Sequence, residues 1–427
     1  MKQSISKIIN SKVLKNSIWL TVLQVVNTVI PFLTVPYITR VLGTKEYGLF
    51  SITLNWILYL QVFVEFGFGL SGSRKVALMS EKDSNILNEL YNNIISSRII
   101  LLIASFIFLN IIAFISHFSF RMYICIMILF LIIFGTTFQL TWLFQGKQDM
   151  KFITIINVIS RTISLILIFL FVKSENDIYL YCFLYSVTLV LSSAIGIFIA
   201  RKKYGLKFNF ASFSRIKEEI NDGKYLFASS AMSKIFSGFG VTVLGIFATA
   251  SITGVFSAIY KIPYVLSMFF YPISQALYPF NSSNFKKDFN SGVRSVKKIC
   301  IPVFTLFLII SIFIIIFRRI IINILFGIEY LDYSIIVIPL VIQFVFGMIN
   351  NFLGIQILVA SGNNKKYSQA FAIGCISIVI LNILFGKLFG IYGVSCAAMI
   401  GEIVLTLGLI YNFKKIDLIY RRKEKND

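Results

Sequence analysis

Three basic side chains, Arg161, Lys234 and Lys261, interrupt stretches of sequence that are otherwise continuously apolar. A charge in hydrocarbon costs about 2.5–3.5 kcal/mol on insertion scales, so each such base needs an anionic partner or a hydrated cavity. Arg161 and Lys234 each stand ten residues beyond a flanking lysine, Lys151 and Lys224. At 1.5 Å per helical residue this is about 15 Å, the middle of a bilayer. Lys261 is comparably deep from the opposite side. Arg98, only about 9 Å in, is shallow enough to snorkel to an interface. Two acids share these runs, Glu65 and Glu402. Glu402 reads as a counter-ion to the bases or as a cation-coupling site, and Glu65 as a pairing or coupling carboxylate near the mouth. Bases outnumber acids, so the chemistry implied is recognition of an anion inside a membrane.

Helical spacing groups these charges with neutral polar residues. Asn157, Ser160, Arg161 and Ser164 follow i, i+3, i+4, i+7, and so share one face. Ser230, Lys234 and Ser237 repeat the pattern, as do Ser257, Lys261 and Tyr264. Gln24, Asn27 and Thr28 lie on another apolar run, and Gln343, Asn350 and Asn351 on a further one. Stripes of this kind are expected to line a shared hydrated cavity. The alternative is that the neutral ones only hold helices together. Prolines add a mechanical expectation: Pro31, Pro36, Pro263 and Pro272 fall within two of the runs, where each would bend a helix as a hinge.

The elements that must position these residues follow from composition. The 427-residue chain is 57% hydrophobic and 14% charged. Soluble domains are about 45–50% apolar and about 25% charged, which excludes a soluble enzyme and a disordered chain. Continuous rather than alternating apolar runs exclude a membrane barrel. Twelve spans are expected, near 17–39, 47–70, 92–115, 121–145, 151–172, 177–200, 223–247, 251–279, 299–317, 333–359, 368–388 and 392–413. The first is too long for a signal-peptide core and is expected to remain as a span. If the N-terminus is cytoplasmic, 29 Lys and Arg fall inside and seven outside. That bias places both termini in the cytoplasm and explains the net charge of +22 as short basic loops facing an anionic leaflet, not a nucleic-acid surface.

The chain also repeats itself. YGLFS at 47–51 and TGVFS at 253–257 open corresponding spans, and the span spacing follows the same offset in the early part of each half. Six spans per half preserve orientation, so the reading is a parallel repeat, residues 1–212 and 213–427, with the site between the halves. Nothing in the sequence asks for a cofactor or a metal. The five cysteines sit singly inside apolar runs, His117 is the lone histidine, and neither a DxD nor a Walker motif occurs.

Several strings resemble a known family. PYITRVLGTKEYG at 36–48, GFGLSGSRKVA at 67–77, FQG at 144–146, LFGIEY at 325–330 and GIQILVASG at 354–362 are similar to the Wzx-type O-antigen and capsule repeat-unit flippases. These form the polysaccharide branch of the multidrug/oligosaccharidyl-lipid/polysaccharide exporter superfamily. The resemblance implies a MATE-like all-α fold, two six-helix bundles in a V around a central cavity. It implies transfer of an undecaprenyl-pyrophosphate-linked oligosaccharide between leaflets of a bacterial inner membrane, with a polysaccharide polymerase and chain-length proteins as partners. It assigns anion binding to basic cavity residues, here Arg161, Lys234 and Lys261, then Arg98 and the motif's Arg40. Two rival readings make different demands. A drug or cation antiporter of the same fold would want acids in the cavity. A membrane-embedded polymerase or glycosyltransferase would want a long outer loop, whereas the longest here is about 318–332, with Glu329 and Asp332.

Overall fold

The computed structural model describes residues 12–80, 84–285 and 288–426. Lys2, Lys7, Lys82, Lys286 and Lys287, which enter the charge count above, lie outside the described residues. Among the described residues every regular element is helical, and ten helical segments are long and apolar enough to cross a membrane. Two of those ten are unusually long, Ile18–Leu78 and Asn364–Leu418.

Each long segment contains a glycine that breaks it. Helix α1, Lys12–Glu65, is non-helical at Gly43, with φ 68° and ψ 176°. Only glycine reaches that region without strain. The last helix breaks in the same way at Gly390, φ 55° and ψ −130°. Further back in α1, Pro31 and Pro36 each remove a backbone hydrogen bond. Thr28, Thr34 and Thr39 meanwhile turn their hydroxyls onto the carbonyls of Gln24, Ile30 and Val35, at 2.8, 2.8 and 2.9 Å. Proline and back-bonding threonine together bend a helix.

The chain forms two compact units, residues 1–235 and 236–427. In the first, α1 is followed by α2 (Phe68–Leu78), α3 (Ser84–Ile115), α4 (Phe120–Leu129), α5 (Leu131–Phe138), α6 (Thr141–Gly146), α7 (Met150–Phe171), α8 (Ile178–Tyr204) and the start of α9 (Phe213–Phe247). The apolar run at 121–145 is therefore three short helices, not one rod. Its breaks fall at Phe130 and at Gln139–Leu140, where Gln139 is extended. Small residues set how closely these pieces pack. A Cβ on Gly72 would lie 2.8 Å from the Ile94 side chain and 3.0 Å from Trp142, and one on Gly146 would lie 2.5 Å from Val76. Side chains tie α1 to α7: Thr154 donates to the Trp19 carbonyl at 2.8 Å, and Tyr37 donates to Val172 at 2.7 Å while stacking on Phe169.

The second unit holds the rest of α9, then α10 (Ala250–Ile259), α11 (Lys261–Phe285), α12 (Phe289–Ile316), α13 (Arg318–Leu325), α14 (Val337–Asn350), a π-helical stretch Asn351–Val359, and α15 (Asn364–Asn426). Its core is built of Leu266, Phe270, Phe307, Phe344 and Met348, and, nearer the other end, of Leu358, Leu405, Leu409 and Ile416.

Candidate functional site

The deep bases occupy different surroundings. Arg161 is half-buried on α7, between buried Ser160 and Ser164. Lys234 is half-buried on α9, and Ser237 on the same helix is exposed. Lys261 is half-buried and begins α11, directly after the break at Tyr260 that ends α10. Its ammonium lies 5.4 Å from the centre of the Tyr264 ring. Lys261 thus stands at the α10–α11 junction, inside the single membrane-length segment Ala250–Phe285. Arg40 is exposed on α1, and Glu65 is exposed at its end.

Arg98 is placed most decisively. It is 2% exposed on α3, and its Nη1 donates to the carbonyl of Gln139 at 2.8 Å and to that of Thr136 at 3.3 Å. Those carbonyls end α5: that of Thr136 also accepts the Gln139 N–H at 3.2 Å, and that of Gln139 lies beyond the last helical turn. The guanidinium thus caps a helix broken within the membrane, a role suited to its several donors and its charge at a helix C-terminus. Phe68 stands beneath it, 5.9 Å from ring centre to guanidinium carbon.

In the second unit the structure brings Glu402 and Asn350 together. Glu402 is 8% exposed, and its Oε2 accepts from the Asn350 amide at 2.7 Å. The same amide reaches the Glu402 carbonyl at 3.0 Å, and Thr406 donates to Asn350 Oδ1 at 2.6 Å. Gln343 and Gly347 share the α14 face that carries Asn350, and a Cβ on Gly347 would lie 3.9 Å from Glu402 Oε1. The carboxylate is therefore held by an amide on a neighbouring helix, and the space beside its second oxygen is kept by a glycine.

The neutral stripe residues divide. Ser164 donates to the Leu184 carbonyl at 2.9 Å and so joins α7 to α8. Asn157 turns back onto Ile153 at 2.8 Å. Asn27 Oδ1 and the Ser257 hydroxyl are buried with no hydrogen-bond partner among the described residues. Gln24 is half-buried on α1, three residues before Asn27. Among the expected hinges, Pro31, Pro36 and Pro272 are interior to helices. Pro263 is the third residue of α11, where a missing N–H costs no intrahelical bond.

Two polar clusters escaped the sequence reading. One surrounds Gln356 on the π-helical stretch: it accepts from Asn281 at 2.8 Å and donates to the Ser274 carbonyl at 2.8 Å, while Ser274 donates to Asn351 at 2.6 Å. The other joins Lys75 on α2 to Glu219 at 2.8 Å and Asp222 at 2.9 Å, both on α9. The prolines at 272 and 279 were the available signal for the first; nothing local signalled the second.

Comparison with known proteins identifies the family. Residues 13–285 match the family described as "Polysaccharide biosynthesis protein". The chain belongs to this family. The strings at 36–48, 67–77 and 144–146 lie within the matched stretch, and those at 325–330 and 354–362 lie beyond it. Membership of the polysaccharide biosynthesis family, with ten apolar helices, makes this a multi-pass membrane protein. The chain is 27% identical over 375 residues to a protein of Escherichia coli (strain K12) named "Putative O-antigen transporter", covering 86% of this chain and 88% of that one. A protein of the same name from Shigella dysenteriae is 24% identical, with 93% and 98% covered. Among solved structures, an inward-facing multidrug resistance MATE family transporter of the MOP superfamily superposes with a TM-score of 0.68 at 14% identity, covering 92% of this chain and 96% of that one. The lipid II flippase MurJ, in an inward closed conformation, superposes at 0.67 with 18% identity, covering 94% and 87%. The fold is the all-helical one of these transporters, the MATE-like class that the resemblance implied.

Proposed function

We propose that this protein flips a lipid-linked oligosaccharide, an undecaprenyl-pyrophosphate-linked repeat unit of an O-antigen or capsule, from the cytoplasmic to the periplasmic leaflet of a bacterial inner membrane. The observation that carries the reading is the family match over 13–285, joined to alignment along 86% or more of the chain with relatives named as O-antigen transporters. The chain would cross the membrane twelve times, six in 1–212 and six in 213–427, with both termini cytoplasmic. The breaks at Gly43 and Gly390 support that number, because each divides a segment long enough for two crossings.

The mechanism follows from electrostatics. A pyrophosphate and several sugars cannot enter hydrocarbon without partners. Arg161, Lys234 and Lys261 would hold the pyrophosphate in a cationic cavity open to one leaflet at a time, while the prenyl tail stays in lipid. Their incomplete burial supports this role, since each keeps side-chain surface within reach of a ligand. Arg40, exposed on α1, would serve at the mouth. Arg98 would contribute field from its capping position. With the cytoplasm negative, outward movement of each negative charge gains about 2.3 kcal/mol per 100 mV. Glu402, held by Asn350, is the carboxylate through which a cation gradient would couple, with Glu65 as the second candidate. Pro31, Pro36 and Pro272 would supply the bending that alternating access needs.

Deletion and complementation test the reading. Restoring the gene should restore surface polysaccharide, and Arg161→Ala, Lys234→Ala and Lys261→Ala should each fail or weaken at normal expression. Full restoration by all three would remove the site assignment.

A further inference from the structure

The segment joining α8 to α9 is fastened to α3 by a ladder. Lys207 N–H donates to Asn88 Oδ1 at 2.8 Å, Asn209 N–H to Asn92 Oδ1 at 3.1 Å, and Ala211 N–H to Ser96 Oγ at 2.9 Å. Positions 88, 92 and 96 step along a helix by about 6.0 Å. Alternate residues of an extended chain step by about 6.6 Å. The two repeats therefore stay in register over three bonds, and the segment lies along the helix as a strand lies along its neighbour.

Beside that occupied row runs a second one, Asn85, Glu89 and Asn93, again at i, i+4, i+8. It forms one wall of a cleft of about 740 Å³ whose other walls include Tyr204, Phe210 and Arg215. That volume lies within the range of small-molecule sites, about 300–1,000 Å³. Asn93 is 8% exposed, and among the described residues its carboxamide has no hydrogen-bond partner. Asn93 is part of the cleft's lining. A carboxamide in this position is available to a ligand's donors and acceptors.

The cleft's chemistry points to a polyol. A carboxamide offers a donor and an acceptor side by side, matched to neighbouring hydroxyls. Phe210 is 59% exposed at the lip, an apolar platform for the C–H face of a pyranose. Tyr204 is fixed by its hydroxyl on Asp149, which also takes Lys203 at 2.6 Å. Of the two cations in the lining, Arg215 is already paired with Glu89 at 3.1 Å and Glu218 at 3.3 Å, which leaves an anion Lys207 alone.

We propose that the cleft between α3 and the 204–215 segment is a saccharide site, which takes a neutral pyranose of the cargo's glycan at the cytoplasmic face before the head group enters the membrane. This rests on the flippase reading for its cargo and its side of the membrane.

The test uses full-length protein in lipid nanodiscs and saturation-transfer NMR. The probe is the repeat-unit oligosaccharide released by mild acid from the host's lipid-linked intermediates. Inorganic pyrophosphate is a separate competitor, and Asn110→Ala, far along α3, is the control. The wild type should bind the sugar, and Asn93→Leu and the surface variant Phe210→Ala should each weaken it about tenfold, the value of one good hydrogen bond or stacking contact. Pyrophosphate should not compete. Wild-type affinity in both variants, no binding by the wild type, or displacement by pyrophosphate would each overturn the proposal. Leaflet transfer measured on the same proteins separates the two readings. Sugar binding lost with Asn93 but no transfer by the wild type leaves the cleft standing and refutes the flippase reading. Transfer by the wild type with unchanged binding in both variants does the reverse.

Discussion

Replacing Arg98 by methionine keeps most of the side chain's volume while removing every donor. The Gln139 carbonyl then loses its partner inside the fold, while that of Thr136 keeps the Gln139 N–H at 3.2 Å. A buried acceptor left unsatisfied costs about 1–3 kcal/mol. The 2.8 Å bond to Gln139 should carry most of the loss and the 3.3 Å bond to Thr136 less. Relief from no longer burying a charge offsets part of it. Arg98→Met should therefore destabilise the protein by about 1–3 kcal/mol, and Arg98→Lys, which keeps a donor for Gln139, by less. Heating in detergent with a thiol-reactive dye reads this directly, because Cys125, Cys182, Cys300 and Cys375 are buried and unpaired until the fold opens. An Arg98→Met protein that melts with the wild type yet has lost transport would refute the capping argument. The guanidinium would then be acting on cargo.

Three further outcomes follow from the same geometry. Gly67→Ala places a Cβ 2.5 Å from Leu226 on a backbone at φ 76°, so thermal unfolding should register a loss of about 2 kcal/mol or more. The Lys75–Glu219 pair, 2.8 Å apart with Glu219 buried and Lys75 one-third exposed, should give a coupling of about 1 kcal/mol in a double-mutant cycle; additive single effects would dismiss it. In proteoliposomes with an imposed proton or sodium gradient, Glu402→Gln should abolish any gradient dependence that the wild type has. A wild type indifferent to every gradient removes the coupling role.

How much was legible beforehand differs by kind of feature. Apolar run lengths gave the all-helical membrane class because hydrocarbon leaves a backbone few other options. Helix interruptions were less legible: the break at Gln139 follows Gly135, Thr136 and Thr137 and that at Tyr260 precedes Lys261 and Pro263, local signals that run length passes over. Arg98 and Glu402 stood out because a charge in such a run always needs a reason. Depth alone, however, could not name the Gln139 carbonyl or the Asn350 amide as that reason, since both are set by packing between distant segments. Asn88, Asn92 and Ser96 carried the right helical period, but their partners are backbone N–H groups that no side-chain pattern reveals.

The proposed activity is movement of a pyrophosphate-linked glycan between leaflets. Purified protein in vesicles loaded with undecaprenyl-pyrophosphate-linked oligosaccharide, followed by access of an outside glycan-cleaving enzyme, measures it most directly. Transfer should depend on the protein and collapse when Arg161, Lys234 and Lys261 are replaced together by alanine. Transfer no faster than in protein-free vesicles, or unchanged in the triple variant, would contradict it.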